Sequence, residues 1–402
     1  MVEIWLPYGD TEVFVNVPTE RLLGFFEFQA PQGGVSIQSI LSSAMPALSG
    51  ARTVSLAIDG ELIRSEECGR ILRALGDSLP SAGLKAFTNA DGPLPDLPGL
   101  EWRRGGSPDR PFEDLGRTGH GNKVRIDRDF HRSDRRVLLG RLERDPIRGH
   151  GWVKGFLECV ASPETARANA ALALEWDPKT DAERNPSYLD GCECAEIAGI
   201  DYALFFVEGR DGGFVDCAQG GFGEALRAGE EKYRQLYSKA VDRRARIAIS
   251  SAGGAPNDLC FESASRSIFN ALGGLEAGGA ILALAECRGG IGDVALIDAF
   301  ARYRDKERLR EILEEEPSEA GIHSYLLMRT FEEFRVLLVS AIPEALLRPL
   351  RIKAFRSANS ALESATRALG DDSPVYAIAN ASKNFLSLAA EGRPGGGQRW
   401  NP

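Results

Sequence analysis

From Asp201 onward, short apolar runs alternate with amphipathic stretches, and no other property of this 402-residue chain narrows its fold as much. YALFFVEG (202–209) and GFVDCAQGG read as strands, and FGEALRAGEEKYRQLYSKAV (222–241) as a helix with its charges on one face. ARIAISS (245–251) is a further strand, followed by the Gly-rich turn AGGAPND and a helix expected from about Asp258 through Leu272. ILALAE (281–286), the turn CRGGIGD, a helical stretch through Glu315, RVLLVSA (335–341), a helix near 357–369 and PVYAIAN (374–380) continue the series. Apolar strands separated by helices lie parallel, because the right-handed crossover between neighbours needs a helix that also covers the sheet. The C-terminal half is therefore expected to be a doubly wound, mostly parallel α/β sheet. Ligands of such sheets bind beyond the carboxyl ends of the strands. That rule singles out AGGAPND with Gly253 and Gly254, CRGGIGD, and the turn after RVLLVSA.

The N-terminal half carries the same alternation less clearly. IWLPYGDTEVFVNVP has two β-rich runs around Pro-Tyr-Gly-Asp and reads as a hairpin. ARTVSLAID (51–59), EECGRILRALGDSL (66–79) and GLKAFTNAD (83–91) form a β-α-β unit. Residues 92–111 hold too many prolines and glycines for a ladder or helix and are expected to be a long loop. The expected organisation is an N-terminal hairpin plus α/β domain over 1–242, a C-terminal α/β domain over 243–390 and a flexible tail at 391–402.

Charge and composition exclude several classes of function. With 48 Lys+Arg against 58 Asp+Glu, the net charge of -10 gives no field that draws in nucleic acid or an anionic membrane. The opening MVEIWLPYGD has no basic stretch ahead of an apolar one, and no run of about 18 apolar residues occurs. A cytoplasmic protein with a small-molecule ligand is expected, its oligomeric state open. The seven cysteines are odd in number and form no CxxC pair, so a disulfide framework is not indicated; Cys192 and Cys194, in GCEC, lack the second cluster of a zinc site. The four histidines form no HxH or HExxH, and no GxSxG is present.

Two segments carry candidate chemistry. GHGWVKGFLECVAS (149–162) sets Lys154 among glycines, a tryptophan and apolar residues. Such a lysine is either a surface side chain lying along apolar neighbours or an amine held at a strand or helix mouth as a nucleophile or cofactor anchor. SSAGGAPND follows a strand and opens a helix, so its amides can face an anion, or Asp258 can serve as the N-cap. Glu262 and Arg266, four apart, can pair on one helix face.

The order of these pieces resembles the nickel-pincer-dependent lactate racemase family of 2-hydroxyacid racemases and epimerases. The segments that carry it are LPYGDTEVFVNVP, LGRTGHGNKVRI (115–126), VKGFLECVASPETARAN (153–169), SSAGGAPND, GGAILALAECRGGIGD (278–293) and IHSYLLMRTFEEFRVLLVSAIPE (322–344). The resemblance implies two α/β domains, a 2-hydroxy acid or related polar substrate at an interdomain cleft, and a nickel-pincer nucleotide attached to the lysine matched by Lys154. It also implies cofactor contacts from Arg64, Gly253, Gly254 and Arg266. The family's two proton-exchanging histidines fall on Asp91 and on Arg144 or Asp145, which makes Asp91 and Asp145 the substitute acid/base candidates. The nickel-ligand histidine after Arg-Ala-Asn is Ala170, Asp59 and Arg64 are what remains of Asp-x-Thr-Arg-Pro, and Gly-Gly-Arg before the lysine becomes Gly151-Trp152-Val153, where Trp152 would crowd the cofactor. These replacements leave three readings: a divergent racemase or epimerase working through carboxylates, a non-catalytic relative that binds a ligand or partner, and a cofactor-free lyase or isomerase using Lys154 and Arg266.

Overall fold

The structure, a computed structural model, describes residues 1–27, 34–107, 109–209 and 212–389. The tail expected at 391–402 lies outside the described residues. Two compact units emerge among the described residues: 1–27, 177–181 and 237–389 form the C-terminal unit, while 34–176 and 182–236 form the unit that carries Lys154. This division differs from a cut at residue 242. The chain's first strands go with its last ones, because Leu22–Phe26 pairs in parallel with Val375–Ile378 and the Gly9 N–H donates to Asp258 at 2.7 Å.

The C-terminal unit holds a six-stranded, all-parallel sheet in the order Lys353–Phe355, Arg335–Val339, Leu275–Leu284, Ala245–Ser251, Val375–Ile378, Leu22–Phe26. Ile247, Ile249, Leu282, Leu284, Leu337 and Val339 bury one face against Ile4, Leu6, Val15 and Val17 of the hairpin Val2–Tyr8/Thr11–Val17 and against the helix Ala358–Leu369. The expected strands are all present, and the doubly wound α/β class holds. Two helix expectations change. The helix expected over 222–241 ends at Tyr237, and Ser238–Val241 becomes a strand paired with Phe385–Leu388. The helix expected from Asp258 starts only at Phe261, since the buried Asp258 carboxylate is engaged elsewhere rather than capping a helix, and it is broken at Ser265 into Phe261–Ala264 and Arg266–Ala271.

The Lys154 unit has its own six-stranded sheet in the order Phe214–Gly220, Tyr202–Glu208, Arg135–Arg141, Thr53–Ile58, Gly83–Thr88, Leu100–Arg104; only the first pair is antiparallel. The β-α-β unit forms as expected. Its helix Glu66–Ser78 is capped by the Ser65 side chain and buries Cys68, Ile71, Leu72 and Leu75 at helical spacing. The loop expected over 92–111 instead contains the strand Leu100–Arg104. Its sequence, LEWRR, is charged and half-exposed because it lies at the sheet edge, where charge discourages pairing with another chain. Among the described residues, no helix is long and apolar enough to cross a membrane.

Candidate functional site

The Lys154 sheet reverses its strand order between Thr53–Ile58 and Arg135–Arg141: from the first strand the chain steps outward to Gly83–Thr88 and Leu100–Arg104, then returns to the other side. Such a switch point opens a crevice at the carboxyl ends of the two strands. Asp59 follows the first of them and Arg141 ends the second. The helix Gly151–Val160 packs on this part of the sheet. Its approach is close enough that a Cβ on Gly155 would stand 2.7 Å from the Asp59 Cβ, so glycine is required there.

Eight of the ten residues of this helix are buried, and the two exceptions are Lys154 and Glu158. They lie one turn apart, with side chains 42% and 27% exposed and a Nζ–Oε1 separation of 3.9 Å. Glu158 is held from three sides, since Asn89 Nδ2 donates to its Oε2 at 2.6 Å and the buried Arg148 guanidinium lies 3.9 Å from Oε1. Lys154 is therefore not one residue of a solvated surface helix. It is half of a single polar stripe on a helix otherwise enclosed. Trp152, expected to crowd a bound cofactor, points the other way and is fully buried among Tyr188, Phe205 and Phe222.

Beside the stripe lies a buried ionic network. Arg141 Nε donates to Asp59 Oδ2 at 3.0 Å, and its Nη1 donates to Glu143 Oε2 at 2.9 Å. Burial works against the guanidinium charge, but the surrounding carboxylates, Asp59 first, outweigh it and hold its pKa above the ordinary value. Asp59 also caps the short helix Gly60–Ile63 through Glu61 N–H. Cys159 is inert by comparison: burial, with the Asp59 charge added, pushes its thiol well above the ordinary range, and it donates to Ile58 O at 3.2 Å.

The helix is anchored at its start by His150, which is buried against Tyr188 and Tyr233. Its Nε2 lies 3.6 Å from Glu183, which also pairs with Arg234 at 2.8 Å. Burial alone would raise the Glu183 pKa, yet the His150 and Arg234 partners bring it far below the usual carboxylate range.

The other sequence-derived site residues divide clearly. Asp145 Oδ1 accepts from the Ile147 and Arg148 N–H groups at 3.0 and 2.6 Å, a turn-capping role that occupies its carboxylate. Asp91 sits on an exposed loop whose Ala90 and Gly92 carbonyls are held by Arg104. No contact joins Asp91 to Asp145 among the described residues. Arg64, expected at the cofactor, has a side chain 65% exposed and pairs with Glu61 at 2.9 Å. The guanidinium beside Asp59 comes from Arg141 instead, a residue the sequence reasoning missed along with Glu143, Glu158 and Asn89. Two signals were available: Glu158 is four residues after Lys154, and Arg141 ends an apolar run, VLLG.

In the C-terminal unit, Gly253 and Gly254 have φ of +105° and +74°, and a Cβ on Gly253 would stand 2.3 Å from Asn380 Oδ1. Here the glycines serve close packing. Asp258 accepts from the Gly9 and Glu286 N–H groups at 2.7 and 3.0 Å, tying the hairpin turn to the loop after Leu284. Arg266 opens a new helix after the break at Ser265, whose Oγ is 2.9 Å from His323 Nε2. Glu262, on the preceding short helix, instead accepts from Asp293 N–H at 2.9 Å. No group of three or more histidine, cysteine or carboxylate side chains suited to a metal ion occurs among the described residues.

Comparison with known proteins adds the lineage. Residues 240–383 match the family model described as the lactate racemase C-terminal domain. The structure is similar to that of the lactate racemase apoprotein from Thermoanaerobacterium thermosaccharolyticum, with a TM-score of 0.82 at 19% identity over 96% of this chain and 100% of that one. A protein of known structure from Thermotoga maritima is similar over 90% of this chain and 100% of its own, with a TM-score of 0.60 at 14% identity. No curated protein matches the chain. Residues 240–383 are thus similar to the lactate racemase C-terminal domain, and nearly the whole chain shares the fold of the lactate racemase apoprotein.

Proposed function

We propose that this protein binds a small 2-hydroxy acid, or a related polar carboxylate, beside Lys154 at the carboxyl ends of the strands of its own sheet, and that it does so without the two-histidine proton exchange of the racemases. The observation that carries the reading is the stripe of Lys154 and Glu158 on a helix whose other residues are all buried. An ammonium at that place supplies the cation a carboxylate needs. The loss of proton exchange rests on what occupies the two histidine places: Asp145 is committed to backbone amides, and Asp91 lies on an exposed loop. The net charge of -10 supports the accompanying proposal of a cytoplasmic protein with a small-molecule ligand rather than nucleic acid or membrane.

A nickel-pincer nucleotide fits this chain only in part. Lys154 offers an amine that reaches water, as attachment requires. The place of the nickel-ligand histidine is the buried Ala170, whose methyl group has no donor atom. Its neighbour Asn169 accepts from Arg148 Nε and Ser187 Oγ and donates to Ser187 O and Asp190 Oδ2, so its amide is fully used. The residues present do not complete a nickel site, and the proposed binding needs no metal.

The deciding experiment is intact mass and nickel analysis of protein co-expressed with a pincer-cofactor pathway, together with calorimetric titration of D- and L-lactate into wild type and Lys154→Ala. The expected result is unmodified, nickel-free protein that binds lactate, with affinity weakened by about tenfold or more in the variant, as for loss of a charged partner. A Lys154-dependent mass increase with nickel and interconversion of the lactates would instead establish the divergent racemase. The accessible amine favours that second reading.

A further inference from the structure

We infer that Arg141 is the specificity-determining residue of this site: its Nη2, with the Glu143 carboxylate beside it, reads the hydroxyl group of a 2-hydroxy acid whose carboxylate is taken by Lys154. The inference rests on the proposed ligand class and names which protein group recognises which part of it.

Three observations combine. Two of the three guanidinium nitrogens are fixed, Nε by Asp59 and Nη1 by Glu143, so the side chain has no freedom of position. Nη2 makes no hydrogen bond among the described residues and is not sealed from solvent. It also faces the start of the Lys154 helix, since a Cβ built on Gly151 would lie 3.9 Å from it. Gly151 and Gly155 share one face of that helix, with Asp59 against the second of them, and Lys154 borders the face three residues after Gly151. The start of the helix at Gly151, the spare nitrogen and the lysine three residues on thus lie together at the switch point of the sheet, while Gly155 is closed against Asp59.

Charge decides what that place reads. Arg141 is already paired with two carboxylates, Asp59 and Glu143, and feels those of Glu208 and Glu61 as well, so it does not attract a further carboxylate. A hydroxyl meets it well, its oxygen accepting from Nη2 and its proton donated to Glu143. The carboxylate of the same molecule is left for the Lys154 ammonium. Arg64 cannot substitute, because it is exposed and paired with Glu61.

The test is calorimetric titration of D- and L-lactate and of propanoate, which lacks only the hydroxyl, into wild type, Gly151→Ala and Arg141→Lys. Gly151→Ala leaves Arg141 in place and narrows the approach to Nη2; its new Cβ meets nothing closer than 3.7 Å, so the helix stays intact. Wild type is expected to favour one lactate over propanoate by about tenfold, the worth of one hydrogen-bonded group at a partly buried site. Both variants are expected to bring that ratio close to one while propanoate affinity stays the same. If Arg141→Lys fails to fold, Gly151→Ala decides alone. Equal binding of lactate and propanoate by wild type, or a ratio unchanged in Gly151→Ala, overturns the role of Arg141. Binding of neither acid overturns the ligand class itself and this inference with it, whereas propanoate-like binding of lactate leaves the ligand class standing.

Discussion

The two sheets of this protein each end in a glycine-rich crossing, and they use it differently. After Ala245–Ser251, Gly253 is pressed against Asn380 while Asp258 satisfies amides of the hairpin and of the segment after Leu284. After Thr53–Ile58 and Arg135–Arg141, Gly155 lets a helix settle on Asp59, but Arg141 Nη2 and Lys154 keep an outward side. One crossing is closed by its own protein groups, and the other leaves polar groups turned toward water. The closed one is where the lactate racemase domain model matches. The open one lies outside the residues that match. Sequence similarity is thus detected where glycines and a buried carboxylate dictate packing, and not where polar side chains face outward.

The comparison breaks most readily at Asp258. Asp258→Ala strands two buried N–H groups that now bond a carboxylate, and we expect a loss of about 3 kcal/mol in denaturant unfolding, at the upper range for charge-assisted bonds. A loss below about 1 kcal/mol would mean the closed crossing is not held by this residue. In the open region the corresponding probe is Glu183. Its pKa is depressed in the fold, so the stability it contributes is present in full above its ordinary value of 4.5 and is lost as pH falls through the folded value. Melting temperature should therefore decline below about pH 5, and Glu183→Gln should flatten that decline while costing about 1–2 kcal/mol at neutral pH. An acid profile identical to wild type would remove the clamp on the Lys154 helix from the account. The smallest effect is expected at Asp91: Asp91→Asn should change stability by less than about 0.5 kcal/mol and leave lactate affinity unaltered. A clear loss of affinity would return Asp91 to the site.

Much of the architecture was legible because parallel sheets need apolar strands and intervening helices. TVSLAI, YALFFV and ARIAISS announce themselves. LEWRR did not, since an edge strand with three charges has the composition of a loop, and neither did the helix break at Ser265, whose hydroxyl meets His323, 58 residues away in sequence. For the site, Lys154 stood out through its apolar neighbours. Arg141 was invisible because its importance comes from two acids, one of them 82 residues away in sequence, meeting at a strand end. Nor does the place of Asp145 in the sequence show that the Ile147 and Arg148 amides, two and three residues on, bond its Oδ1.

The parallel pairing of Leu22–Phe26 with Val375–Ile378 has a consequence for synthesis. The edge strand of the C-terminal sheet is made before every strand of the Lys154 sheet, and its neighbour after all of them. Between those moments the Lys154 unit can complete its own sheet, whose strands span only residues 53–220. The N-terminal hairpin waits all that time with the apolar face of Ile4, Leu6, Val15 and Val17 uncovered. The C-terminal parallel sheet is thus completed only after the Lys154 sheet has been made, and a nascent chain halted before residue 375 carries an unpaired strand at Leu22–Phe26.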